Sequence, residues 1–147
     1  MPEVQAVESE VMPTLKSLCI SLGVTQRTFH RWLRIVGIKP KYKTDAMFSF
    51  QEQENLAAFY VATKILGITQ NVYAQQVVPI SQVPAIPGLE GARSDHLFGL
   101  HTYVQESYRV DLCQLLDERI DQSRGIPIPV ANVITRLKQE YEYPRAS

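Results

Sequence analysis

The chain has 147 residues, 45% of them hydrophobic, and a formal net charge of zero. That suffices for one domain with an ordinary buried core, or a small domain with an oligomerisation segment. No apolar run nears the ~18 residues of a membrane span, and the first ten residues carry three glutamates and no Lys or Arg, unlike the positive start of a secretory signal, so a cytoplasmic location is expected.

Residues 1–12 read as an acidic flexible tail. From 11 to 44 the balance reverses, with seven bases (Lys16, Arg27, Arg31, Arg34, Lys39, Lys41, Lys43) and no acid, against eight bases and twelve acids over 45–147. A charge run is most often a solvated face, but a stretch this long without an acid makes a local positive field whatever the total. Thr14 is placed to cap a helix over 15–22, with Leu15, Leu18, Cys19 and Leu22 on one face and Gly23 as its stop. Thr25 then caps a second helix to residue 36, in which Phe29, Trp32, Leu33 and Val36 recur at helical spacing. Gln26, Arg27, His30, Arg31 and Arg34 fall mainly on its other side, and Gly37 ends it. Residues 38–50 alternate on either side of a polar Thr44-Asp45 turn, which predicts a short β-hairpin. A helix over 51–66 follows; Gly67 stops it, and Thr69 caps a further short helix to about residue 77. Leu66-Gly67-Ile68-Thr69-Gln70 with Tyr73 echoes Leu22-Gly23-Val24-Thr25-Gln26 with Phe29, but the first copy has arginines outside where the second has Asn71, Ala74, Gln75 and Gln76.

Residues 78–91 hold three prolines and two glycines and read as a linker or extended arm. Beyond it, Leu97, Leu100, Val104, Tyr108, Leu112, Leu115, Leu116 and Ile120 recur at helical spacing and predict one long helix over 94–123. At ~1.5 Å per residue it would run roughly 40 Å, more than a small domain needs for its own core. Residues 92–147 are therefore expected to form a helical dimerisation region with those eight side chains at the seam, its last helix over 130–141 following Gly125, Pro127 and Pro129. Cys19 and Cys113 lie apart in apolar surroundings, as buried free thiols do, and form no clustered ligand set with His30, His96 or His101. No metal or cofactor is expected. No phosphate-binding glycine loop, nucleophile motif or acidic metal cluster points to an enzyme.

The first two helices fit a helix-turn-helix, whose second helix needs an apolar side to dock and a donor-rich side to enter the major groove. Phe29, Trp32 and Val36 supply the first side; Gln26, Arg27, His30 and Arg31 supply the second. Arginine can pair bidentately with guanine and glutamine with adenine, and Thr28 can meet a thymine methyl or a phosphate. Lys39, Lys41 and Lys43 would grip phosphates from the hairpin and fix register. Trp32 reads as core rather than a stacking platform. Tyr42 either packs under the hairpin or touches the sugar-phosphate chain, and Lys16 is either solvated or at a phosphate.

The stretch Gly23-Val24-Thr25-Gln26-Arg27-Thr28-Phe29-His30-Arg31-Trp32 resembles the start of MerR-type transcriptional regulators. The hairpin and the segment Phe50-Gln51-Glu52-Gln53-Glu54-Asn55-Leu56 look like that family's wing and third helix, so the resemblance covers roughly residues 14–77. Excisionases and plasmid replication proteins share the same winged fold. The resemblance implies a reading helix in the major groove and a wing on phosphates, which by position falls on Arg27, Thr28, His30, Arg31, Lys41, Tyr42 and Lys43. It also implies a long antiparallel helix that pairs two copies. The compact plan resembles small MerR-type repressors encoded beside CRISPR-associated transposons in cyanobacteria. The proline-rich stretch before the dimer helix departs from the family pattern, as does a lone Cys113 inside that helix.

The expected fold is thus mainly α: a winged helix-turn-helix DNA-binding domain over 13–77 with a short hairpin wing, a linker over 78–91, and a helical dimerisation region. The expected function is sequence-specific binding of double-stranded DNA by a homodimeric transcriptional regulator, a repressor on a palindromic operator, with no small-molecule effector evident. The alternatives are an excisionase-like accessory protein of recombination or replication, and a protein-interaction module whose basic block meets an acidic partner.

Overall fold

A computed structural model describes residues 13–39, 41–83, 93–120 and 125–139. The expected acidic tail over 1–12 lies outside them. Helix α1 (Leu15–Leu22) begins where sequence places it, because Thr14 and Ser17 form a reciprocal cap. The Thr14 hydroxyl accepts from the Ser17 N–H at 3.2 Å, and the Ser17 hydroxyl accepts from the Thr14 N–H at 2.8 Å. Leu15, Leu18, Cys19 and Leu22 are buried. Gly23 closes α1 at φ +72°, a left-handed conformation that a side chain would strain. Thr25 caps α2 (Gln26–Val36) by accepting from the Thr28 N–H, and Gly37 at φ +88° ends it. Phe29, Trp32, Leu33 and Val36 all face inward.

The expected β-hairpin over 38–50 is not formed; Pro40 itself lies outside the described residues. The chain turns at residues 43–45, the Ala46 N–H donating to the Lys43 carbonyl at 3.0 Å, but the returning arm pairs elsewhere. It lies along the start of α1: the Leu15 N–H donates to Ala46 (2.8 Å), the Lys16 N–H to Thr44 (3.1 Å) and the Phe48 N–H to Pro13 (3.1 Å), with one antiparallel bridge between Thr14 and Met47. The physical reason is the set of unsatisfied N–H groups at a helix start, which finds its acceptors in this loop. Phe48 is fully buried and meets Phe29 edge-on at 5.6 Å.

Helix α3 (Phe50–Tyr60) is capped by Ser49 and Glu52 and runs on through a wider turn over Val61–Ile65, where the Leu66 N–H reaches back to Val61. Gly67 reverses the chain at φ +77° into α4 (Gln70–Val72), capped by Thr69. A second wide turn (Tyr73–Val77) leads into α5 (Val78–Ile80), so helix continues into the start of the expected linker, with Pro79 in the first turn. Strands β1 (Gln82–Val83) and β2 (Arg93–Ser94) pair antiparallel, Gln82 opposite Ser94. Residues 84–91, the rest of the expected linker, lie outside the described residues, as does residue 92.

The single helix expected over 94–123 is two helices. Helix α6 (His96–Tyr108) ends at Arg109, which takes a left-handed φ of +60°, and Asp111 caps α7 (Leu112–Arg119). Hydrophobic spacing runs unbroken across the join because both helices turn the same kind of face to one core. Leu97, Leu100, Val104, Leu112, Leu115 and Leu116 are buried there, while Ile120 is half-buried and Tyr108 is at the edge. The stripe expected to pair two copies is thus spent on this chain's own interior. Helix α8 (Ile128–Leu137) buries Val130, Val133, Ile134 and Leu137.

Helix α3 lies at the centre, packed on α2, α6 and α8 within one continuous cluster of buried side chains. Its Ala57 and Ala58, with Ala62 just beyond, let neighbours approach closely. Glu54 is buried on α3, and its carboxylate accepts from the Arg136 guanidinium of α8, which also lies over the Phe50 ring. A carboxylate taken out of water requires such a partner.

Candidate nucleic-acid interface

The outer face of α2 is where the cations gather. Arg27, Arg31 and Arg34 stand at positions i, i+4 and i+7 on one stripe, all exposed, opposite the fully buried Phe29, Trp32 and Leu33. Gln26 is exposed beside them at the first turn. Among the described residues, none of these side chains forms an ion pair, and no acid occupies the first turn of α2. The partial positive charge of the helix start therefore adds to that of Arg27 in the first turn. Lys16 on α1, Lys39 after Gly37 and Lys43 in the loop turn are exposed as well. The Lys16 backbone N–H is tied to Thr44, so α1 and the loop turn carry their lysines on one connected piece of backbone.

Other expected contacts are engaged within the protein. Lys41 was expected to grip a phosphate; its ammonium instead pairs with Glu52 at 3.3 Å, donates to the Met47 carbonyl at 3.1 Å and lies 4.9 Å from the Phe48 ring centre. Its charge is largely answered at home, so it anchors the loop. His30 was expected as a donor to DNA. Its Nε2 lies 2.8 Å from the Lys41 carbonyl, and since a carbonyl can only accept, Nε2 carries the proton and donates. The imidazole is a tie between α2 and the loop, covered by the Tyr42 ring at 5.0 Å. Tyr42 remains 73% exposed, which places it beside α2's outer face and not beneath the loop. Thr28 is half-buried and its hydroxyl accepts from Thr25 at 3.2 Å, which leaves one donor for an outside partner. Trp32 is core: it meets Phe59 at 5.3 Å and Tyr60 at 6.3 Å, both edge-on.

Two features escaped the sequence reading. One is the engagement of Glu52, which caps α3 through the Ser49 N–H and also pairs with Lys41; no spacing pairs those two across the loop. The other is a buried polar cluster behind α2. Asn55 on α3 accepts from the His96 N–H (3.0 Å) and from Gln51 (3.0 Å) and donates to the Ser94 carbonyl (3.2 Å). The His96 ring stacks on Tyr73, its Nδ1 2.7 Å from the Tyr73 hydroxyl. Burial drives the His96 pKa down from 6.5 to about 4, and the nearby Val36 carbonyl and the Asp95 carboxylate oppose that fall without reversing it. The carbonyl does not reach hydrogen-bond geometry: Nε2 has no hydrogen-bond partner among the described residues. Burial likewise raises the Tyr73 phenol far above its ordinary range. An asparagine within an apolar helix face was the one available sign of this cluster.

Cys19 and Cys113 are buried thiols that form no disulfide with each other; the Cys113 thiol donates to the Leu137 carbonyl, and burial pushes the Cys19 thiol up. Among the described residues no three His, Cys, Asp or Glu side chains gather in a metal-holding group, and no helix is long and apolar enough to cross a membrane. No protein-family model, curated protein or solved structure matches this chain.

Proposed function

We propose that the chain binds double-stranded DNA, with the first turns of α2 in the major groove, and acts as a sequence-specific transcriptional regulator of the MerR type, a repressor. The observation that carries this reading is the exposed stripe of Arg27, Arg31 and Arg34, without an ion pair among the described residues, on a helix whose opposite side is locked into the core. Gln26, Arg27 and Arg31 would meet base edges; Arg34, Lys16, Lys39 and Lys43 would meet phosphates. His30, Lys41 and Tyr42 would hold the loop against α2 beside the groove, and Thr28 would offer its hydroxyl proton. Two copies on a palindromic operator would have to meet through a different seam from the Leu97 to Leu116 stripe, because that stripe is buried within each copy. This burial also favours a second reading: an excisionase-like accessory protein that needs only one reading helix per site.

The deciding experiment is to sequence DNA recovered with the protein from cells and to titrate the enriched duplex against a scrambled one. Enrichment of one motif at promoters, with the enriched duplex bound at least a hundredfold more tightly than the scrambled one, supports regulation; motifs at the ends of mobile elements support the accessory reading. Binding of both duplexes with equal affinity, or with no dependence on salt, overturns sequence-specific DNA binding, since each neutralised phosphate contributes a slope of roughly −0.9 in log K against log salt.

A further inference from the structure

Between α6 and α7 the apolar spacing runs on while the backbone breaks. Among the described residues Arg109 is the sole non-glycine at positive φ, at +60°, where a side chain crowds its own backbone. No glycine or proline stands between Leu100 and Arg119, and Leu97, Leu100, Val104, Leu112, Leu115 and Leu116 keep helical spacing across the join. Only Arg109, Val110 and Asp111 separate the two helices, and the Asp111 carboxylate secures the break by accepting from the Cys113 N–H at 2.8 Å. Beyond the join, α7 and α8 are tied to each other as one arm: the Cys113 thiol donates to the Leu137 carbonyl at 3.8 Å, and the Lys138 ammonium meets the Asp117 carboxylate at 2.6 Å. Separate contacts hold this arm to the rest of the chain. Helix α8 lies on α3, Arg136 pairs with Glu54 and covers the Phe50 ring, and Arg119 donates to the Leu66 carbonyl at 3.3 Å. Each of these joins a residue before Arg109 to one after it, so the arm of a second copy can make the same set.

We propose that two copies of this chain exchange these arms. Arg109 passes into right-handed helix, α6 and α7 become one helix, and α7 and α8 of each copy seat on α3 of its partner. Short, strained joins invite such an exchange, because the closed and exchanged forms share their contacts and differ mainly at the hinge. Straightening relieves Arg109 and adds helical hydrogen bonds across the join; it costs the Asp111 cap. Residues 96–119 then form a single helix of roughly 36 Å. Its one apolar face covers its own copy's core at one end and the partner's core at the other, so two copies join without exposing the leucine stripe. The inference does not rest on the DNA reading, and its test uses no DNA.

The test refolds the full chain from urea at high concentration and isolates the dimer by size exclusion with light scattering. In that dimer the amides of Arg109, Val110 and Asp111 exchange with deuterium about tenfold or more slowly than in the monomer, as helical amides do. Asp111→Ala, which removes the cap, raises the dimer fraction about fivefold or more, and Arg109→Gly, which takes the left-handed turn without strain, lowers it by about as much. To show that the arms are exchanged, the chain carrying Arg136→Lys is refolded as an equal mixture of light and heavy-isotope copies, and a zero-length carbodiimide couples residue 136 to Glu54. About half of those links then carry both isotopes, while the link between Lys138 and Asp117, inside the arm, carries one. A chain that stays monomeric even with Asp111→Ala, a dimer whose hinge amides exchange as fast as the monomer's, or links between residues 54 and 136 that carry a single isotope would each overturn the proposal.

Discussion

The molecule holds the same local device twice. Gly23 and Gly67 both turn the chain at positive φ, Thr25 and Thr69 both cap the helix that follows by accepting an N–H at 3.2 Å, and Phe29 and Tyr73, four residues after each cap, are both fully buried. Beyond that the copies part. The first continues as an unbroken helix with Arg27, Arg31 and Arg34 outside; the second widens over Tyr73–Val77, meets Pro79, and exposes Asn71, Ala74, Gln75 and Gln76. Turn geometry thus sets how a helix pair folds, while its outer residues set what it can meet. A positive-φ glycine and a threonine cap are no sign of nucleic-acid binding by themselves.

Inside, the copies should be equivalent. Phe29→Ala and Tyr73→Ala are each expected to cost about 3–5 kcal/mol in urea unfolding, as deletions of buried rings do; a difference of several kcal/mol between them would break the parallel. They should differ in acid. His96 belongs to the second copy's interior, stacked on Tyr73, and the first copy has no such group. With a folded pKa of about 4 against 6.5 unfolded, the unfolded chain binds the proton first. The stability that comes from keeping His96 neutral is therefore complete above about pH 6.5 and is lost as pH falls toward 4, by up to about 3 kcal/mol. Proton NMR should show the His96 ring untitrated at pH 5, and a midpoint near 6.5 would contradict the burial described.

The outer faces supply a smaller contrast. Arg31→Ala is expected to lower affinity for the enriched duplex by about 1–3 kcal/mol and to relax base preference, while Gln75→Ala, its counterpart in the second copy, leaves binding unchanged. Equal effects in a gel-shift series would show that the copies are not distinguished by charge. Gly23→Ala and Gly67→Ala should each destabilise by about 1–2 kcal/mol in thermal unfolding, the cost of a side chain at positive φ. The smallest effect is Lys43→Ala: an even weakening on all sequences, with the salt slope reduced by roughly 0.9.

How much of this was legible in the sequence divides along physical lines. Helices α1 and α2, their caps and their buried stripes follow from the spacing of Leu15, Leu18, Leu22, Phe29, Trp32 and Val36, because those signals are local. Cys19 and Cys113 were also readable as buried thiols. The loop after α2 was misread because its alternation names which residues point inward, Phe48 among them, but not which strand will pair with them. The break at Arg109 was hidden because no glycine or proline marks it and the leucine spacing continues across it. The arginine stripe of the candidate interface was visible as soon as the helix was drawn. The engagement of Lys41 with Glu52, and of His30 with the Lys41 carbonyl, depends on how the loop closes, and no spacing encodes that.

The central place of α3 has a practical consequence for anyone dissecting the protein. A fragment stopped at residue 77 would keep every cation of the basic block yet lose α6 and α8, which cover α3. Leu56 and its alanine neighbours would then be wetted, Glu54 would lose Arg136, and the scaffold holding Trp32 would loosen. The C-terminal half serves as ballast for the arginine-bearing helix, and the truncated fragment would be expected to aggregate before it could be assayed.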